Sequence, residues 1–219
     1  EPELDNRALI DLVADDLHTG RTLYTPVYRA AAARASGCTD IAAPVLSVTE
    51  TGVAITGTAV FRGDALAMTL SSDETVGLQL ITGSSPYALV HVSVRGAQAV
   101  AAVTVRDRVL TLTESGDGPR FTLRLTCIAE LSAYDGGVTV PTDDEFAALL
   151  ADGCAQQLRD WAVQCAGRLM RAALDPMGLI QLASRDPQWA DAADDRSAFL
   201  RGADFSAEVA VRTVRGSAL

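Results

Sequence analysis

The sequence predicts an α+β protein in two units, each a mainly antiparallel sheet with helices packed on one face. Three observations carry that expectation. Three runs between 89 and 132 are β-rich, and apolar residues alternate with a period of two over 53–61, the spacing of a half-buried strand. They recur at steps of three and four from Phe146 to Leu169, the spacing of an amphipathic helix. The three runs follow one another through turns rather than helices, and alternation returns at 207–215 after the helical stretch. That order calls for antiparallel neighbours and one returning strand in a mixed sheet.

The first unit, 1–84, opens with Leu4, Leu9, Leu12, Val13 and Leu17, spaced for an amphipathic helix that stops at Gly20. Residues 22–28 read as extended and 30–44 as a connection. The run 53–61 turns through Arg62, Gly63 and Asp64 into a second strand over 65–70, which makes a hairpin. Gly57 in mid-strand marks a bulge or a close approach of backbones, and Phe61, Leu66 and Leu70 are expected in the core. Ser71 and Glu74 fit a capping box, in which hydroxyl and carboxylate reciprocally bind free amides at a helix start. Val76, Leu80 and Ile81 continue that short helix, and Gly83 ends it.

Gly83, Ser84, Ser85 and Pro86 form the linker to the second unit, 85–219. Strands are expected at 89–95, 99–114 and 121–132, the last two separated by a turn rich in glycine, aspartate and proline. A second capping box at Thr142 and Glu145 opens one long helix, whose stripe is Phe146, Leu150, Cys154, Leu158, Trp161, Cys165 and Leu169. Acidic residues at 143–145 and arginines at 168 and 171 suit the two ends of its dipole. Asp175 and Pro176 interrupt it, because proline removes a donor and clashes with the preceding turn. Short helices follow over 177–185 and after Pro187. Trp189 and Phe199 are expected to pin the last helix onto the sheet before the final strand.

A chain of 219 residues that is 48% hydrophobic and 21% charged is long enough and apolar enough to fold around a large core. Its formal net charge of -10 opposes binding to nucleic acid or to an anionic membrane face. No stretch approaches the roughly 18 consecutive apolar residues of a membrane span. Phosphate-binding signatures are missing: there is no GxGxxG, and a P-loop is impossible without lysine.

Cys154 and Cys165 stand eleven apart on one helix, roughly 16 Å at 1.5 Å per residue, beyond disulfide reach. Both, with Cys127 on the apolar phase of a strand, read as small core residues. Cys38 lies in a polar stretch and is the exposed candidate. No cysteine or histidine pattern has zinc-ligand spacing. His18 and His91 are the available neutral-pH bases, with His91 on the strand phase opposite Val90, Val92 and Val94. A cysteine-dependent hydrolase using Cys38 and His91 is therefore a remote alternative. No catalytic, cofactor-binding or metal-ligating residue is assigned, and no cofactor is expected.

Two separated blocks carry a resemblance. One is Gly57 to Phe61 followed by Asp64, Leu66, Leu70 and Glu74; the other runs from Asp175, Pro176, Met177 and Gly178 through Pro187, Trp189 and Phe199 to the strand ending near Gly216. From about Leu46 to Gly216 the chain resembles the C-terminal portion of the Ger(x)C family, the lipoprotein C-subunit of nutrient germinant receptors in bacterial endospores. The resemblance implies a longer precursor with a signal peptide, a lipid-carrying cysteine and a further N-terminal domain, so that Glu1 is expected to be an internal cut. It implies a non-catalytic extracytoplasmic subunit, lipid-anchored at the outer face of the spore inner membrane, with integral membrane subunits of the receptor as partners. A domain that itself binds an amino acid or sugar is the alternative.

Overall fold

The computed structural model describes residues 21–23, 27–35, 40–49, 52–116, 118–137, 141 and 143–214. The helix expected over 4–17, His18 and Cys38 lie outside the described residues. Helix α1 spans Val27–Ala35 and strand β1 spans Asp40–Thr49. Both differ from the expectation of an extended stretch at 22–28 and a connection at 30–44. The alanines at 30–33 and 35 are strong helix formers. Pro44 suits β1 because this strand lies at a sheet edge, where one missing donor breaks no second ladder.

Strands β2 (Gly52–Arg62) and β3 (Ala65–Leu70) complete an antiparallel sheet in the order β1-β2-β3. Its register slips between Val45 and Leu46, where Gly57 adopts φ +153° and a Cβ would stand 2.1 Å from the Leu70 carbonyl oxygen. The bulge and the close approach thus occur at one glycine. A second slip pairs Val60 with Met68 but Phe61 with Leu66. One extra residue, Ala67, reverses the facing of everything before it. Leu70 is buried as expected, whereas Leu66 is 60% exposed and Phe61 half-buried.

Helix α2 (Ser72–Thr82) starts with the expected capping box: the Glu74 N–H donates to Ser71 Oγ, and the Ser71 N–H donates to Glu74 Oε2 at 2.8 Å. Gly83 ends it in the left-handed conformation. Strands β4 (Tyr87–Val94), β5 (Ala97–Ser115) and β6 (Gly118–Tyr134) then form an antiparallel meander. Helix α3 (Asp144–Arg171) crosses that sheet, followed by α4 (Leu179–Ala183), α5 (Ala190–Ala193) and α6 (Arg196–Gly202). Strand β7 (Asp204–Thr213) returns parallel to β6, giving the order β4-β5-β6-β7. The fold is α+β, with one antiparallel and one mixed sheet.

Helix α3 is capped one residue later than expected. Asp143 accepts from the Phe146 N–H at 2.8 Å, and Glu145 is drawn away from the helix start to Arg95 at 2.7 Å. Its stripe is as read: Phe146, Leu150, Cys154, Leu158, Trp161, Cys165 and Leu169 are all buried. Phe121, Leu123, Leu125 and Cys127 of β6 present the matching face of the sheet. Phe199 packs edge-on against Phe121 at 6.2 Å and against Trp189 at 6.1 Å, which holds α6 on the sheet.

Candidate functional site: a charged junction between the two sheets

The most concentrated arrangement of buried charge lies where β1 and β2 meet the end of α3. Asp40 and Arg62 are partners in the β1–β2 register and share the inward phase of Ala42 and Val60. The Asp40 side chain is fully buried. It accepts from the Asp175 backbone N–H at 2.5 Å, forms an ion pair with Arg196, and has Arg62 Nε at 3.7 Å. Arg62 also donates to the Ala173 carbonyl at 2.5 Å. One carboxylate thus ties the first strand to the chain on both sides of the Asp175–Pro176 break.

The break itself is a built turn. Ala173 lies at φ +54° and Gly178 at +78°, and the buried Asp175 carboxylate accepts from Leu179 N at 2.9 Å and Ile180 N at 2.8 Å. It caps the start of α4, whereas α3 has already ended at Arg171, before the Asp175–Pro176 interruption expected from the sequence. Burial pushes the Asp175 carboxyl above its ordinary range, against the pull of these amide hydrogen bonds.

Helix α2 supplies the rest of the junction. Arg168 Nη1 donates to both oxygens of Glu74 at 2.8 and 2.6 Å, so the capping carboxylate also anchors α3. Burial alone would raise the Glu74 carboxyl, but the Arg168 and Ser71 hydrogen bonds outweigh it and hold it below the usual value of 4.5. In mid-helix a Cβ on Gly77 would stand 2.3 Å from the Trp161 carbonyl oxygen, so the two backbones nearly touch. At the far end Arg108 of β5 donates to the Leu80 carbonyl at 3.1 Å and to that of Ile81. Gln79 binds the Thr22 carbonyl, bringing residues 22 and 23 into the same core.

The chemistry available here is structural. Cys127, Cys154 and Cys165 are free and buried, and burial raises their thiols to about 11, about 12 and about 12, which suppresses the thiolate that nucleophilic catalysis needs. His91 is exposed on the face of β4 opposite the buried Val90, Val92 and Val94, away from these thiols. Asp143, Asp144 and Glu145 form no cation site with other ligands: Asp143 and Glu145 are engaged by Arg95 at 2.6 and 2.7 Å. Among the described residues no three histidine, cysteine or acidic side chains converge to hold a metal ion.

Sequence reasoning singled out Glu74 and Asp175 but missed their partners Arg168 and Asp40, and with them Arg62 and Arg196, which pair with Asp40. A signal existed for two of them. Asp40 and Arg62 fall on the inward phase of strands whose neighbours on that phase, Ala42, Thr58 and Val60, are apolar or buried.

A three-stranded antiparallel sheet joined through two helices to a mixed four-stranded sheet defines the class, and it is that of a solved structure described as the crystal structure of the GerBC protein. The two agree with a TM-score of 0.73 at 14% sequence identity, over 87% of this chain and 61% of that one, a likeness of fold. The chain thus spans about 61% of the length of that protein. A search of curated proteins gives no match. The family model for the C-terminal region of spore germination B3/GerAC-like proteins matches residues 56–215. The chain belongs to this Ger(x)C family of spore germination proteins.

Proposed function

We propose that the chain is a non-catalytic, extracytoplasmic part of the C-subunit of a nutrient germinant receptor. In the full-length protein a lipid anchor outside the present sequence would hold it at the outer face of the spore inner membrane. There it would pack against integral membrane subunits and support receptor assembly or signalling. The observation that carries this reading is the family match over residues 56–215. The junction fits it: buried charge is spent on fixing two sheets against each other, as a docking module needs. No helix of the described residues is long and apolar enough to cross a membrane, so attachment through a separate anchor is consistent with it.

The test is recovery of the epitope-tagged full-length protein from solubilised spore inner membrane, with co-purifying proteins identified by mass spectrometry. Permease-like germination subunits are expected in the eluate. Their absence with bait present overturns the receptor reading and brings forward direct sensing of an amino acid or sugar, which a ligand-dependent thermal shift would reveal.

A further inference from the structure

We propose that β7 is a pairing edge through which two copies of this chain join into one continuous sheet. It goes beyond the receptor reading and does not depend on it. Strand β7 is the last of its sheet. The Val214 N–H donates to the Ala129 carbonyl at 3.0 Å, one residue past the Thr213↔Ala129 pair, which sets the phase of the ladder. Residues alternate in the side to which they turn their peptide groups. Phe205, Ala207, Val209, Val211 and Thr213 therefore direct N–H and C=O off the open edge, where no hydrogen bond reaches them among the described residues. An open groove of about 410 Å³ lies over β6 and β7 near this edge, lined by Arg124, Leu125, Thr126, Arg159, Glu208 and Val209 among others.

Sheet edges are normally blunted by proline, bulges or short length. Strand β1 has Pro44 and a register slip, and β3 has six residues and a bulge. Strand β7 has ten residues, no proline and an unbroken register. Its outer face also selects an occupant. Asp204, Glu208 and Arg212 stand at four-residue steps on the exposed phase. If a second β7 lies antiparallel with Glu208 on the two-fold axis, each Asp204, also paired with Arg120 of its own chain at 3.2 Å, faces the other copy's Arg212. The same register sets the peptide groups of Phe205 opposite Val211 and of Ala207 opposite Val209, so the outward-facing rows satisfy each other. The Glu208 carboxylates meet at the axis, but each is already paired with Arg124 at 2.7 Å. Strand β4, the other edge of this sheet, carries the neutral Tyr87, Leu89, His91 and Ser93 on its outer phase, which selects no partner by charge. A self-complementary patch of this kind is what a two-fold dimer requires.

The measurement is sedimentation equilibrium of the 219-residue chain and its variants. A strand pair buries less than a standard interface, so association should be weak. Val209→Pro removes an outward N–H at a position an edge strand tolerates and should weaken the dimer about tenfold or more. Arg212→Glu, an exposed change that leaves the fold intact, sets two like-charge pairs across the axis and should weaken it about three- to tenfold. The exchange Asp204→Arg with Arg212→Asp, made together with Arg120→Ala because Arg120 pairs with Asp204 at 3.2 Å, should restore it, which only the antiparallel register predicts. A chain that stays monomeric up to about 1 mM, or a dimer indifferent to both Val209→Pro and Arg212→Glu, overturns the proposal.

Discussion

At the residue scale the fold depends on a few polar atoms that lack an alternative to each other. Asp40 is the clearest. Its carboxylate holds the Asp175 N–H and Arg196 in a site without solvent. Removing one partner of a buried pair costs about 3–5 kcal/mol, because the other is stranded. Asp40→Ala is accordingly expected to lower the stability read from urea denaturation by that amount, and a loss below about 1 kcal/mol would show that solvent replaces the carboxylate. Arg62→Ala should cost less, since its side chain is 48% exposed and it gives up a 3.7 Å contact with Asp40 and one hydrogen bond to the Ala173 carbonyl. The thiols make a second residue-level prediction. With pKa values of about 11, about 12 and about 12, Cys127, Cys154 and Cys165 should resist alkylation in the native protein at pH 8. A Cys38→Ser variant should then show no fast-reacting thiol until denaturant is added; rapid labelling of any of the three would contradict their burial.

At the scale of elements, α2 is the part that makes two sheets into one body. It is held at its start by Arg168, in the middle by backbone contact at Gly77 and at its end by Arg108. Gly77→Val places branched carbon against the Trp161 carbonyl, which is backbone and cannot step aside. Overpacking of this kind costs about 1–3 kcal/mol, and the expected result is a lower melting temperature with α-helical circular dichroism retained. An unchanged melting temperature would mean that α2 and α3 separate freely. Elements with a single strong period, such as α3 and the β5–β6 strands, were legible in the sequence, as was the Ser71–Glu74 box, because each is set by residues within one or two turns. The Ala67 bulge, the shift of the α3 cap to Asp143 and the junction were not. Leu66 has the spacing of a core residue and is turned outward by one extra residue, while Asp40 and Asp175 are separated by 135 positions. Local pattern carries no information about such partners.

For the whole molecule, one hydrophobic cluster runs from Val60, Leu70 and Ile81 in the first half to Leu158, Leu169 and Leu200 in the second. The unit boundary at 84/85 is therefore, in our proposal, a division of topology that does not create two independently melting bodies. Near-ultraviolet and far-ultraviolet circular dichroism should report one coincident unfolding transition. Acid should weaken that transition in a way the carboxylates define. Glu74 has a folded-state pKa below 4.5, so its contribution is fully present above 4.5 and is lost as pH falls through the lowered value. Asp175 has the opposite sign. Its raised pKa favours the protonated form in the fold, so its contribution is greatest in acid and declines as pH rises through the folded value. Between pH 5 and pH 3 the Glu74 contribution to stability, measured by denaturant titration, should fall, and it is read as the difference between the parent chain and a Glu74 variant. Glu74→Gln should be less stable at pH 6 yet fall less steeply over that window, because the lost Arg168 pair no longer has a proton to compete with. A parallel displacement of the whole curve, with its slope unchanged, would show that neither the Ser71 cap nor the Arg168 pair favours the Glu74 carboxylate measurably.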